Sequence, residues 1–219
     1  NICCWTYPGT WVDGVAGSWR VKGDIRANWR SLRAAVLDNL YRSGYCSFGH
    51  YNDMDMMQVG RLVGQTKQAR FREFRSDTGL TPAEETTHFA LWCMLSSPLM
   101  IGCDIRSCSE ETVALLCDRE LIAIDQDPAC RPPMVSREYL IKHLANGEYA
   151  FSLTNFLDCE FDFIQFWIPD IGISSRDGYG FRLHDVVTGE GLGLFTEIVT
   201  IKGMRAHETR VLRGTFEKI

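Results

Sequence analysis

Apolar positions along the chain fall into two different rhythms. Over residues 28–42, Leu32, Ala35, Val36, Leu40 and Tyr41 recur at spacings of three and four, with Arg30, Arg33 and Asp38 elsewhere. That spacing predicts one apolar face of a helix, which Gly44 then stops. A second helix is marked by its end chemistry: Thr81 as N-cap, Pro82 at the first helical position and Glu84 completing a capping box. Phe89, Trp92, Cys93 and Met94 form its buried side, and Pro98 ends it. Ser109, with Glu110 and Glu111, opens a third short helix through Cys117. Between these lie short apolar runs read as strands, at 2–5, 46–51, 99–101 and 121–124. Polar groups collect where they finish: Asn52-Asp53-Met54-Asp55, Asp104 and Asp125-Gln126-Asp127. Strand and helix thus alternate four times across the first 130 residues, the rhythm of parallel βα units, whose ligands bind at the carboxyl ends of the strands.

After Pro132-Pro133 the helical spacing disappears. Strand-like segments follow at 139–143, 149–155, 161–168, 181–185, 197–201 and 209–212, separated by turn residues such as Asn146-Gly147, Arg176-Asp177-Gly178 and Thr188-Gly189. The expected organisation is an α/β domain over 1–130 and a compact antiparallel β domain, read as a β-sandwich, over 131–219.

Composition narrows the function more than the fold. A net charge of -5 gives no broad cationic field, so a nucleic-acid partner is not expected and a neutral substrate such as a sugar fits better. No apolar run reaches the roughly 18 residues of a membrane-spanning helix, so no membrane partner is expected. The nine cysteines are odd in number, scattered, and without a C-x-x-C pair. They are read as reduced, mostly buried thiols of a cytoplasmic protein rather than zinc ligands, with secretion left open. The five histidines show no metal spacing, and no phosphate loop or serine elbow occurs, so no cofactor is expected.

The chemistry-bearing segment is Gly17-Ser18-Trp19-Arg20 followed by Asp24-Ile25. It resembles the N-S-W-R and D-I pair of glycoside hydrolase family 27 α-galactosidases. Cys3-Cys4-Trp5 and Trp11 resemble that family's C-E-W and following tryptophan, and Tyr51-Asn52-Asp53-Met54-Asp55-Met56 its W-N-D-P-D-M. Further blocks follow in the right order: Gly79-Leu80-Thr81, His88-Phe89-Ala90-Leu91-Trp92, Ser97-Pro98-Leu99, Gly102-Cys103-Asp104 and Ile122-Ala123-Ile124-Asp125-Gln126-Asp127-Pro128. The similarity is dense up to residue 130 and loose beyond it. It implies the second half, strands five to eight, of a TIM (β/α)8 barrel, followed by the β-sandwich, and no cofactor.

The same resemblance assigns roles. Asp24 is the implied acid/base: a glycosidic oxygen is a poor leaving group, so an acid must donate a proton as the bond breaks and later remove one from water. Partial burial and a neighbouring carboxylate suit a carboxyl group to both tasks. The bland alternative is a solvated loop residue or a helix cap. Arg20 resembles the arginine that hydrogen-bonds sugar hydroxyls, its alternative an ion-paired arginine. Asp55 resembles the strand-end aspartate that accepts from sugar hydroxyls, with Met56 an apolar wall beside it. Asp53 shares that role or makes a structural hydrogen bond to the strand end. Trp5 and Trp19 offer apolar faces to the sugar's C–H groups, with core packing the alternative for each.

Two departures matter. Cys4 stands where the family has a glutamate near the sugar's second hydroxyl, which loosens selection there. An α-N-acetylgalactosaminidase or a β-L-arabinopyranosidase on the same scaffold is therefore an alternative, as is a non-catalytic sugar-binding half barrel. Between Gly60 and Gly79 the chain carries an insertion with Arg61, Lys67, Arg70, Arg72 and Arg75, read as a solvated loop or a contribution to an oligomer contact or aglycone subsite. The implied nucleophile lies in a K-Y-D-like segment on the fourth barrel strand, and no such segment occurs in these residues. Four βα units cannot close a barrel, so the expectation is a fragment that lacks the N-terminal half of its own barrel and is inactive alone. An α-galactoside is the expected substrate. The β domain is expected to brace the barrel and to assist any homo-oligomer.

Overall fold

The structure is a computed structural model that describes residues 1–3, 6–12, 14–61, 78–136, 139–172 and 175–219. Most of the insertion after Gly60, together with Cys4 and Trp5, lies outside the described residues. The chain forms two compact units, Asn1–Pro132 and Pro133–Ile219.

In the first unit, β1 (Ser18–Arg20) is followed by α1 (Trp29–Leu40) and β2 (Tyr51–Asp53). β1 and β2 pair in parallel, Ser18 with Tyr51 through Arg20 with Asp53. Ile2 adds a parallel bridge to Trp19, so its segment, β1 and β2 run the same way, and Met57 makes a separate parallel bridge to Ile101. Helices return the chain between them, α1 before β2 and α2 (Pro82–Met94) before Ile101; α3 (Glu110–Leu116) and α4 (Arg119–Asp125) come after.

Helix ends follow the local chemistry. Asn28 caps α1 by accepting from the Ser31 N–H at 2.9 Å. Thr81 and Glu84 make the reciprocal capping box at the start of α2, worth about 1 kcal/mol. The buried stripe of α1 is Leu32, Ala35, Val36 and Asn39, and Tyr41, expected inside, is 90% exposed because it lies past the last helical residue. α2 is buried nearly all round, from Thr87 to Met94 without a break, as a helix packed on more than one side must be.

Several expected strands shrink or change type. The run at 2–5 is reduced, among the described residues, to the single bridge at Ile2. At 46–51 the chain makes a tight turn, Ser47 and His50 exchanging backbone hydrogen bonds of 2.9 Å, and the strand begins only at Tyr51. The run at 99–101 contributes one bridge, with Met100 and Ile101 more than half exposed. Residues 121–124 are helical, not extended: Asp118 accepts from the Glu120 and Leu121 N–H groups, and Leu121 and Ile124 are buried three apart. A four-residue apolar run is too short for periodicity to tell strand from helix, and the cap decided it.

The second unit is antiparallel throughout. Its strands are β3 (Met134–Ser136), β4 (Tyr139–His143), β5 (Tyr149–Thr154), β6 (Phe161–Trp167), β7 (Tyr179–Asp185), β8 (Gly191–Phe195), β9 (Ile198–Met204) and β10 (Thr209–Lys218). Among the described residues they form a six-stranded sheet in the order β3-β4-β5-β10-β7-β8 and a two-stranded sheet of β6 with β9. β3 and β8 were not expected; β3 is three residues long, and β8 contains Gly193 at φ 95°, beside which the pairing with β7 shifts register. One core joins the two sheets: Tyr139, Ile141, Phe151, Leu153, Phe181, Leu183 and Leu212 from one, Ile164, Phe166, Val199, Ile201 and Met204 from the other. Phe151 stacks on Phe166 at 4.5 Å and meets Phe181 edge-on at 5.3 Å, the arrangements aromatic quadrupoles favour.

Candidate active site

The carboxyl ends of β1 and β2 bring Arg20, Asp24 and Asp55 together. Arg20, the last residue of β1, donates from Nη2 to Asp55 Oδ2 at 2.7 Å and reaches Asp24 Oδ1 at 3.5 Å. The two inner side chains are largely buried, Arg20 14% and Asp55 13% exposed. Asp24 is 77% exposed, so its pairing with Arg20 is screened and weak. The partial burial expected around the acid/base is therefore not supplied here.

Asp55 is the most constrained residue of the group. Its φ is 83°, a left-handed conformation that costs a non-glycine residue about 1 kcal/mol or more. The surroundings hold it there: its N–H donates to Asp53 Oδ1 at 2.7 Å, and its carbonyl accepts from Trp92 Nε1 at 3.0 Å. Its carboxylate accepts from Arg20 and from the Ile25 N–H (2.8 Å) on Oδ2, and from the Met56 N–H (2.7 Å) on Oδ1. A carboxylate offers about four acceptor positions, so one remains for a ligand hydroxyl. The Nε–H of Arg20 is buried without a partner among the described residues, a second unused group at the same place.

The other expected site residues separate into roles. Asp53 is buried and structural: it accepts from the Asp55 N–H on one oxygen and from the Asn1 side-chain amide on the other. Trp19 is 2% exposed, and its indole N–H is shared between Asn52 Oδ1 (2.8 Å) and the Tyr7 hydroxyl (3.1 Å). It is framework, not a sugar platform, because side chains alternate across a strand and Trp19 points the opposite way from Arg20. Met56 is 42% exposed beside Asp55. It is held against Gly102, where a Cβ would lie 2.5 Å from the Met57 carbonyl oxygen and 2.9 Å from Met56 Sδ. Cys4 and Trp5 lie outside the described residues.

Sequence reasoning missed the framework beneath these groups. Tyr7 donates to Asn52 Oδ1 at 2.5 Å, Asn52 donates to the Arg42 carbonyl at 2.8 Å, and the Arg42 guanidinium sits 4.7 Å over the Tyr7 ring and donates to the Val21 carbonyl at 2.7 Å. Burial raises the Tyr7 pKa, so the hydroxyl stays a donor at neutral pH. Cys3, Tyr7, Arg20, Val21, Lys22, Gly23 and Arg42 line a cleft of about 430 Å³ beside the triad. The one available signal was Asn52 itself, an amide in the polar cluster that follows the apolar run at 46–51. The Ile25 N–H, a backbone donor, left no mark in the sequence.

The cysteines depart from the mostly buried expectation. Of the eight described, Cys46, Cys93 and Cys130 are buried, Cys103 and Cys108 are intermediate, and Cys3, Cys117 and Cys159 are exposed. Among the described residues, no three His, Cys, Asp or Glu side chains are grouped to hold a metal.

With this geometry in view, comparison with known proteins is informative. The family model described as "Alpha galactosidase A" matches residues 7–127, more than half of the chain. Alpha-galactosidase 2 of Arabidopsis thaliana is 35% identical over 129 residues, covering 58% of this chain and 28% of that protein. Alpha-galactosidase A of Cellvibrio japonicus is 33% identical over 241 aligned positions, covering 97% of this chain and 54% of that protein. The chain thus spans about a quarter to a half of these relatives' length. Among solved structures, alpha-galactosidase I of Mortierella vinacea superposes with a TM-score of 0.79 at 22% identity, covering 94% of this chain and 55% of that one. The fold is therefore the second half, strands five to eight, of a TIM barrel followed by an antiparallel β-sandwich. The chain belongs to the melibiase family of alpha-galactosidases.

Proposed function

We propose that the protein is a retaining exo-α-galactosidase that removes terminal non-reducing α-D-galactosyl residues from oligosaccharides or glycoconjugates. This chain supplies the acid/base and the sugar-holding groups. The observation that carries the reading is the convergence of Arg20, Asp24 and Asp55 at two adjacent strand ends, in a chain of this family.

The roles follow from the hydrogen-bond inventory. The Arg20 guanidinium is paired to the Asp55 carboxylate, which keeps one unused acceptor position on Oδ1; a fixed donor fork beside a carboxylate is the pairing that vicinal sugar hydroxyls take. Asp24 is tethered to this clamp through Arg20 yet exposed, so its carboxyl group is free to reach a glycosidic oxygen. It protonates the leaving oxygen and then activates water against the glycosyl–enzyme intermediate. The nucleophile is the aspartate of the K-Y-D-like segment that these 219 residues do not contain, and retention requires the two carboxyl groups about 5–5.5 Å apart.

The test is hydrolysis of p-nitrophenyl α-D-galactopyranoside by the full-length gene product, beside its Asp24→Ala variant and residues 1–219 alone. The variant is expected to lose about 10²- to 10⁴-fold in turnover. p-Nitrophenolate leaves with little acid assistance, so the loss falls on the water-activating step. Azide, which needs no base, restores turnover and gives α-galactosyl azide. Residues 1–219 alone are expected to be inactive. Wild-type rates in Asp24→Ala would remove Asp24 from the mechanism.

A further inference from the structure

Cys103 and Cys108 follow the last parallel bridge of the first unit and flank a single 3-10 turn, Ile105–Ser107. Their Sγ atoms are 3.4 Å apart, and both side chains are partly exposed. Asp104 caps the turn through the Arg106 N–H at 3.1 Å, which brings the chain back on itself within four residues. The two sulfurs rest on Gly60: a Cβ there would lie 2.7 Å from Cys108 Sγ and 3.4 Å from Cys103 Sγ. A second pair, Cys46 and Cys130, stands 3.9 Å apart but is fully buried. Solvent reaches one pair and not the other.

We propose that Cys103 and Cys108 are a modification site, a dithiol that closes to a disulfide by exchange with a small-molecule disulfide such as oxidised glutathione. The sulfurs need only move from 3.4 Å to a bonded separation of about 2.05 Å, and the turn between them already holds the chain ends together. Cys108 begins the exchange. Its thiolate attacks one sulfur of the reagent, forming a protein–glutathione mixed disulfide and releasing one glutathione thiolate, which takes up a proton. Cys103 then gives up its proton and its Sγ attacks the Cys108 sulfur, forming the intramolecular bond and releasing the second glutathione as a thiolate that takes up a proton. The protein loses two hydrogen atoms and the reagent is reduced to two thiols.

The order of attack has a physical basis. Burial, followed by the hydrogen bond and charge of Cys108, pushes the Cys103 thiol up to about 11, so Cys103 stays protonated at neutral pH and is the resolving group. The site lies on the loop that carries Gly102, and Gly102 packs on Met56 and the Met57 carbonyl. The bond therefore forms next in sequence to the glycine that packs on Met56, the residue after Asp55. The proposal does not depend on the glycosidase reading.

The experiment is incubation of residues 1–219 with oxidised glutathione at neutral pH, alkylation of remaining thiols, and peptide mapping without reduction. Trypsin cuts after Arg106, between the two cysteines, so the bond appears as two linked peptides lighter by two hydrogen atoms than their sum. Fragment ions separate it from links through Cys93 or Cys117, which the same peptides carry. The expected result is a Cys103–Cys108 bond in the wild type, formed before any Cys46–Cys130 bond, and a lasting glutathione adduct on Cys108 in Cys103→Ser. A lasting glutathione adduct on Cys108 in the wild type, or free thiols at both positions under conditions that modify Cys117, overturns the proposal.

Discussion

His88 is the buried group whose titration should be most visible in the stability of the first unit. It is 0% exposed on α2, accepts the Gln58 N–H at Nε2 (2.9 Å), and packs edge-on against Trp92 at 3.9 Å. Since Nε2 accepts, the proton of the neutral ring is on Nδ1. Protonating Nε2 would set two N–H donors against each other in a fully buried site. Desolvation by burial accordingly lowers its pKa from 6.5 to about 3. The unfolded chain binds this proton at pH values where the folded chain does not. Its contribution to stability is present above pH 6.5 and is lost as pH falls toward 3. One extra proton bound by the unfolded state gives a slope of up to about 1.4 kcal/mol per pH unit, and the whole shift sets a ceiling on the order of 5 kcal/mol. The assay is urea unfolding of the wild type and His88→Gln between pH 4 and 8, followed by tryptophan fluorescence. Glutamine can still accept from Gln58 but cannot titrate. The difference between the two proteins should be flat above about pH 7 and should shrink steadily below pH 6 as the wild type loses its His88 contribution. Parallel pH profiles would refute the claim that His88 is buried and neutral.

Two further outcomes follow. Asp55→Asn places an amide where the Arg20 guanidinium and two backbone N–H groups all donate; loss of the charged partner should destabilise the first unit by about 1.5–3 kcal/mol in urea titrations, and raise KM for p-nitrophenyl α-D-galactopyranoside in the full-length protein more than it lowers stability would explain. Phe151→Ala removes the ring that stacks on Phe166 of the facing sheet and meets Phe181 of its own sheet edge-on, and calorimetry should register a loss of about 3–5 kcal/mol confined to the second unit's transition.

Much of this fold was legible because local chemistry and tertiary environment agreed. The caps of α2 and α3 and the strands β4 to β7, β9 and β10 stood out, since Thr81-Pro82, Ser109 and the alternating aromatic runs each admit one low-energy local structure. Where a segment was short, the pattern was degenerate. Residues 121–124 carry four apolar side chains in a row, which suit a buried strand and a buried helix equally, and Asp118 settled the choice from outside the run. β8 escaped because its glycines contribute no side-chain signal.

The site divides along the same line. Family resemblance marked Arg20, Asp24 and Asp55 because their side chains carry the chemistry, and the structure does bring these three together. It could not separate Asp53 from Asp55 or Trp19 from a sugar platform, because which side of a strand a residue faces depends on register. Arg20 and Asp55 are 35 residues apart in sequence and 2.7 Å apart in space. The sequence alone marked Arg20, Asp24 and Asp55 as candidates with suitable chemistry and predicted α1 and α2, while β1, the strand that ends in Arg20, was not predicted. Only the tertiary structure decided that Asp53 and Trp19 are turned into hydrogen-bonded framework, that Asp55 is held at a positive φ by Trp92 and Asp53, and that Cys103 and Cys108 face each other. The bonds of Asp53 to Asn1, of Trp19 to Asn52 and of Trp92 to Asp55 join distant segments, which local pattern does not encode, and the two cysteines meet only because the turn at Ile105–Ser107 closes between them.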